Sequence, residues 1–196
     1  MAGMVQKKCS KVFEVSPTSI PGCVLIDLCL RTDSRGSLVK TFQASTYHEG
    51  GLEVDFREEF YSFSTRGVLR GMHVMAPPAG QVKTVCCALG TVLDAVLDLR
   101  INSPSYGRYE LFQMDAAMPQ LVYIPPGVAH GFLVLSEQAL MIYRATSEFL
   151  PEADKGVRWD SCGIPWGVTS PVISARDQAL PLLADFVSPF HEKVLT

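Results

Sequence analysis

The chain has 196 residues, enough for one domain with a sizeable core and too few to argue for two. Hydrophobic residues make up 47% and charged residues 19%, which sets it apart from disordered chains, and a net charge of −3 with scattered Lys and Arg leaves no broad basic face for a nucleic acid backbone. No apolar run reaches the roughly 18 residues that would span a bilayer, and residues 1–10 carry lysines without the apolar stretch of a secretory leader. The six cysteines show neither CxxC spacing nor a dense framework, and Cys86 and Cys87 are adjacent in an apolar run, so free thiols in a reducing cytoplasm are expected.

From residue 23 to about 146 the chain is a succession of short β-type runs, at 23–30, 38–42, 56–64, 68–74, 82–89, 92–99, 109–114, 121–124, 131–135 and 140–146. Between them stand Asp33-Ser34-Arg35-Gly36, Ala76-Pro77-Pro78-Ala79-Gly80, Asn102-Ser103-Pro104 and Pro125-Pro126-Gly127, where Pro fixes φ and Gly tolerates positive φ. The run at 92–99, interrupted by Asp94 and Asp98, could pass for a helical stripe. Gly90 before it and the β-branched runs around it favour a strand.

Beyond Phe149 the pattern turns to Pro, Gly, Trp and charged residues, and Ser174-Ala175-Arg176-Asp177 has the form of a helix start that Pro181 limits to a turn or two. No internal repeat or low-complexity tract appears, which excludes solenoids and propellers. The expected architecture is an all-β domain over 1–196, a closed or double-sheet barrel at about 21–148 followed by an irregular extension with short helical segments at about 149–196.

Two segments carry histidine chemistry. Gly67-Val68-Leu69-Arg70-Gly71-Met72-His73 sets Arg70 and His73 three apart on a strand, on opposite faces unless Gly71 allows a bulge. Pro125-Pro126-Gly127-Val128-Ala129-His130 places a second His after a rigid turn. Together they resemble the two motifs of the cupin superfamily, whose jelly-roll barrels hold a metal through a His pair flanking one residue, a downstream Glu and one more His. Here Met75 stands two after His73 and no Glu lies between His73 and Gly90, so no metal site is expected. A lone His is more often a satisfied polar group of the core; two at matched motif positions weigh against that reading.

The resemblance sharpens with Gln81-Val82-Lys83, Ser103-Pro104-Ser105-Tyr106-Gly107, Ile124 to Phe132 and Gly156-Val157-Arg158-Trp159-Asp160, all in order. Over about 21–182 the chain resembles the dTDP-4-dehydrorhamnose 3,5-epimerase family. That resemblance implies a cofactor-free epimerase acting on a nucleoside-diphosphate 4-keto-6-deoxy sugar, inverting C3 and C5 beside the C4 ketone. His73 would be the base, oriented by a carboxylate near Trp159, for which Asp160 is the candidate although the family's Asp commonly falls where Ser161 stands. Lys83 would stabilise the enolate oxygen, and Tyr143 would be the acid on the opposite face. Taken alone, Lys83 would read as an exposed strand end and Tyr143 as a core residue with its hydroxyl at the rim. Arg35 and Arg70, with Arg158 as a weaker candidate, would hold the diphosphate through planar guanidinium forks, and His130 would line the sugar pocket.

Glu58, Glu59, Phe60 and Tyr61 stand where the family usually presents Gln, Asp, Asn and His, and Met75 replaces a common Gln. Glu58 and Met75 are therefore expected to touch a substrate whose nucleotide and sugar these changes put in question. The alternatives are a single-carbon epimerase, an enzyme of a CDP- or GDP-linked sugar, and a barrel that binds a sugar without turnover. The family also implies a homodimer, with an N-terminal strand crossing to the partner sheet.

Overall fold

The computed structural model describes residues 13–191, so the leader reading of residues 1–10 lies outside the described residues. In chain order the elements are β1 (Phe13–Pro17), β2 (Val24–Leu28), β3 (Leu30–Asp33), β4 (Gly36–Val39), α1 (Ala44–Glu49), β5 (Glu58–Thr65), β6 (Leu69–Met75), β7 (Lys83–Leu89), β8 (Thr91–Asp98), β9 (Tyr109–Asp115), β10 (Gln120–Ile124), β11 (Val128–Val134), β12 (Gln138–Ala145), β13 (Asp154–Gly156) and α2 (Ala175–Gln178). One sheet has the order β1-β2-β10-β7-β12-β5 and faces a second of order β13-β6-β11-β8-β9, with β3 and β4 forming a separate hairpin. This is the double-sheet barrel expected from the spacing of breakers, with the jelly-roll form that the cupin resemblance implies, and the run at 92–99 is strand β8, not a helix.

Period-two alternation assigns every inner strand two tasks. On β8 and β11, Val92, Val96, Val128, Phe132 and Val134 point into the barrel, where they meet Val85, Met141 and Tyr143 of the facing sheet. The residues between them, among them Ala95, Leu97, Ala129 and Leu133, face outward and are covered by Val157, Ile164, Trp166 and Phe190 of the C-terminal extension. Across the other sheet, Ile26, Cys86, Leu121 and Tyr123 are covered by Tyr47 of α1 and its edge-to-face partners Phe13, Phe42 and Phe56. The C-terminal extension is thus a third layer that closes one side of the barrel.

Several details depart from the sequence reading. The run at 23–30 breaks into β2 and β3, and Asp33 to Gly36 closes the β3–β4 hairpin. Helix α1 fills the interval left open between 42 and 56. The first described strand, β1, pairs with β2 of its own chain. Cys23, Cys86, Cys87 and Cys162 are free and buried, as expected, but Cys29 is disulfide-bonded, a tertiary pairing that cysteine spacing does not disclose. Among the described residues no helix is long and apolar enough to cross a membrane.

The feature that shapes the site is the irregularity of β6. His130 lies opposite His73 and Phe132 opposite Arg70, so two residues of β6, Gly71 and Met72, stand against the single Gly131. That bulge cancels the odd spacing of Arg70 and His73 and brings both to the barrel interior. Gly71 has φ +133°, and a Cβ there would sit 2.5 Å from Gly131 Cα and 3.0 Å from the His130 carbonyl oxygen. Both obstacles are backbone and cannot swing away. Gly71→Ala is therefore expected to cost at least ~2 kcal/mol, lowering Tm by roughly 5 °C or more in a thermal melt; an unchanged Tm would show that the bulge is not tightly held.

Candidate active site

His73 leaves β6 with Nε2 2.8 Å from Asp177 Oδ1, and the other Asp177 oxygen accepts the Gly71 N–H at 3.2 Å. A carboxylate only accepts, so Nε2 carries the proton in the neutral ring and Nδ1 holds the lone pair. Nδ1 has no hydrogen-bond partner among the described residues, which leaves it available to a substrate. Asp177 is brought there by α2: Ser174 caps the helix by accepting the Asp177 N–H at 3.1 Å, and the Asp177 side chain turns to the barrel instead of back to the cap.

This corrects the expected partner of His73. Asp160 lies on the irregular segment after Trp159 and pairs with Arg158 at 2.6 Å, away from the histidine. Trp159 is drawn into the outer apolar layer, and the chain needs the further residues to Asp177 before it returns to β6. The signal that could have found Asp177 was present in the acidic residue of Ser174-Ala175-Arg176-Asp177, which was legible only as a helix start.

Beside His73 lies an open cavity of about 330 Å³ whose wall includes Lys83, Glu58, Phe60, Asp154 and Arg176 as well as the expected Met75. Lys83, Ala145 and Glu58 form one row across β7, β12 and β5, and Val85, Tyr143 and Phe60 form the next. Lys83 Nζ has no hydrogen bond or close ion pair among the described residues, so its charge is available to a ligand. Burial pushes its pKa down from the usual lysine value, and the neighbouring Arg176 acts the same way, against the opposing charges of Asp154 and Glu58. Arg176 pairs with Asp154 on β13 at 2.6 Å and sets Nη1 3.0 Å from His73 Nε2. A guanidinium has no acceptor, so towards a protonated Nε2 it serves as a neighbouring positive charge.

Burial is also the largest influence on His73 and lowers its pKa below the usual 6.5; the hydrogen bond and charge of Asp177 oppose this, while Arg176 and Lys83 reinforce it. For Asp177, burial would raise the pKa, but the hydrogen bond and charge of His73, the Gly71 N–H and Arg176 together hold it below the ordinary carboxylate range. The pair therefore rests as a neutral imidazole on an ionised carboxylate near neutral pH.

A second His–Asp pair lies deeper. His130 Nε2 is 2.7 Å from Asp94 Oδ2, both are buried, and Asp94 Oδ1 has no partner among the described residues. Burial raises the Asp94 pKa despite the charge and hydrogen bond of His130. Tyr143 stands 6.2 Å from His130 by ring centroids, with its hydroxyl 3.1 Å from Ser62 Oγ, and burial pushes its pKa well above the usual phenol value. Neither His130 nor Tyr143 belongs to the cavity wall. Arg70 reaches the same inner region, its Nε bonding Ser64 Oγ at 3.0 Å.

Two expected phosphate contacts lie elsewhere. Arg35 sits at the tip of the β3–β4 hairpin with its side chain 87% exposed and paired with Asp33, because the local turn places its fork over the neighbouring carboxylate. Arg158 is engaged with Asp160. Neither enters the cavity of its own chain. Among the described residues no three His, Cys, Asp or Glu side chains gather as a metal site.

Residues 17–185 match the family model described as dTDP-4-dehydrorhamnose 3,5-epimerase. The enzyme of that name from Methanothermobacter thermautotrophicus is 37% identical over 171 residues, covering 85% of this chain and 92% of the relative. Among solved structures, NovW, a 4-keto-6-deoxy sugar epimerase from the novobiocin biosynthetic gene cluster of Streptomyces spheroides, superposes with a TM-score of 0.86 at 33% identity, covering 93% of this chain and 92% of its own. ChmJ, a 3'-monoepimerase from Streptomyces bikiniensis solved with dTDP-quinovose, superposes with a TM-score of 0.81 at 33% identity, covering 86% and 87%. With a family match over most of its length and a cupin-type jelly-roll barrel shared with these structures, the chain belongs to the dTDP-4-dehydrorhamnose 3,5-epimerase family of sugar-nucleotide isomerases.

Proposed function

We propose that this enzyme inverts C3 and C5 of a nucleoside-diphosphate 4-keto-6-deoxy sugar of the dTDP type by proton transfer through an enolate. The observation that carries the reading is the Asp177-held His73 beside the unpaired ammonium of Lys83 in one cavity. His73 Nδ1 takes a proton from the carbon next to the ketone, and the C–H electron pair becomes the enolate π bond. Lys83 supplies the positive charge that the enolate oxygen needs, in a setting where water is partly excluded. Tyr143 gives its hydroxyl proton to the opposite face of the carbon, and solvent returns a proton to the phenolate while the imidazolium loses one. Arg70 and His130 are proposed as substrate contacts on the Tyr143 side, and Glu58 and Met75 as contacts within the wall.

A second reading, inversion at one carbon only, is favoured by the aromatic wall residue Phe60 beside Tyr143 and by similarity to ChmJ, named a 3'-monoepimerase. A CDP- or GDP-linked sugar is the other variant, since Glu58 and Met75 stand at substrate-facing positions of the wall. We also propose a homodimer. Tyr61 and Phe63, 70% and 49% exposed, lie on β5 at the end of the six-stranded sheet, and a second copy would withdraw them from water.

In heavy water, dTDP-4-keto-6-deoxyglucose is expected to gain deuterium at both C3 and C5 by NMR, with His73→Ala reducing exchange by at least ~10³-fold while dTDP binding persists. Labelling at one carbon would select the second reading, and full activity in the variant would end the mechanism.

Because His73 acts as the neutral base and its pKa lies below 6.5, kcat/KM should fall with decreasing pH along an acid limb centred below that value. Asp177→Asn removes the groups that raise the His73 pKa, so its limb should move to still lower pH while kcat drops by ~10²–10⁴-fold through loss of the correct tautomer. Asp160→Asn should stay within about threefold of the parent enzyme, since exposed ion pairs contribute little. The reverse ranking in a pH–rate comparison of the two variants would return the partner role to Asp160.

A further inference from the structure

Phe60 belongs to both halves of the constellation. Its ring lines the cavity of His73 and Lys83 and also stacks on Tyr143, with centroids 4.7 Å apart and planes within 11°. The contact is built into the sheet, because Phe60 and Tyr143 are directly opposed on β5 and β12 with side chains on the same face. Tyr143 is 6% exposed and outside the cavity wall, whereas Phe60 is 42% exposed. One ring face is therefore held by the tyrosine, while the rest of the side chain has open space to turn into.

A proton donor must come within roughly 3–3.5 Å of the carbon it protonates. Phe60 stands in the cavity wall against the Tyr143 ring, whose hydroxyl bonds Ser62 Oγ and which does not line the cavity, whereas His73 does. The two proton transfers are thus open to different extents in one conformation: removal on the His73 side is available, and delivery on the Tyr143 side is covered.

We propose that Phe60 gates inversion, acting as a positioning residue that separates proton exchange from epimerisation; this rests on the epimerase reading above. With the ring in place, His73 takes the α-proton, the resulting imidazolium trades it for a solvent deuteron, and the deuteron returns to the same face of the carbon. The C–H bond becomes a C–D bond with configuration retained. With the ring turned off Tyr143, the enolate carbon accepts the phenol proton on the opposite face, the O–H bond breaks, and solvent restores the phenol and neutral imidazole. An aromatic stack of this kind biases the closed position by a factor of about 3–10, which sets the size of the effect.

The test follows dTDP-4-keto-6-deoxyglucose in heavy water by NMR, scoring deuterium with retained configuration against inverted product for the parent enzyme, Phe60→Ala, Phe60→Leu and Tyr143→Phe. The parent should exchange faster than it inverts. Phe60→Ala should raise the ratio of inversion to exchange by about 3–10-fold, and Phe60→Leu, which keeps apolar volume without the stack, should raise it less. Tyr143→Phe should lose inversion and still exchange, fixing the floor of the ratio. A ratio unchanged within twofold in folded Phe60→Ala and Phe60→Leu would overturn the gate and leave the epimerase reading standing. No exchange at any carbon by the parent, on dTDP, CDP or GDP sugars, would remove that reading and the gate with it.

Discussion

The carboxylate of Asp177 joins the C-terminal extension to the barrel, and the rest of the site depends on how it is held. A buried carboxylate is costly unless its oxygens are paired, and here one oxygen takes the His73 Nε2–H and the other the Gly71 N–H. The second donor exists because the bulge of β6 turns a backbone N–H out of the regular ladder. The bulge, the glycine and the histidine tautomer are therefore one constraint: the feature that brings His73 to the cavity side also supplies the donor that completes its partner. The apolar layer of Trp166, Val157 and Phe190 gains functional meaning from this, since it fixes the extension that carries α2.

The two His–Asp pairs show how environment assigns different tasks to the same residue types. Burial lowers the His73 pKa, Arg176 and Lys83 add positive charge nearby, and the carboxylate has both oxygens bonded, all of which favour a neutral imidazole on an ionised Asp. Asp94 is enclosed, lacks a partner for one oxygen among the described residues and has its pKa driven up by burial, so His130 is tied to a carboxylate that burial disfavours in its ionised form. The deeper pair is thereby a fixed hydrogen bond of the barrel interior, outside the cavity wall.

Much of the barrel was legible because strand boundaries are written locally, in Gly, Pro and Asp between β-branched runs, and β8 was recognisable as a strand despite Asp94 and Asp98. His73, Lys83 and Tyr143 were legible only through ordered motifs, since each alone is an ordinary core or strand-end residue. The partner of His73 was not legible in the same way: Asp160 is near the motif in sequence, whereas Asp177 reaches β6 through the packing of a whole layer, and no local spacing encodes that. Arg35 illustrates the same limit, because the turn that makes it conspicuous also folds its guanidinium onto Asp33. Helix α1 was missed for a different reason: its six residues, Ala44–Glu49, are held by Tyr47 among Phe13, Phe42 and Phe56 and not by helical periodicity.

The inner face of β5 borders both the cavity and the buried tyrosine. Glu58, Phe60 and Ser62 alternate inward and lie against Ala145, Tyr143 and Met141 in successive rows, so each occupies a defined depth between the cavity mouth and the buried hydroxyl of Tyr143. Glu58 places negative charge in the row of Lys83 and, after Asp154, opposes the downward pull of burial on the lysine pKa. Phe60 presents a flat apolar surface that lines the His73 cavity and stacks on Tyr143. One edge strand thereby faces both a lysine on β7 and a tyrosine on β12, while the His73–Asp177 pair is held elsewhere. Such an edge strand can vary without disturbing the His73–Asp177 pair, because that pair is held by different elements, the bulged β6 and the returning C-terminal helix.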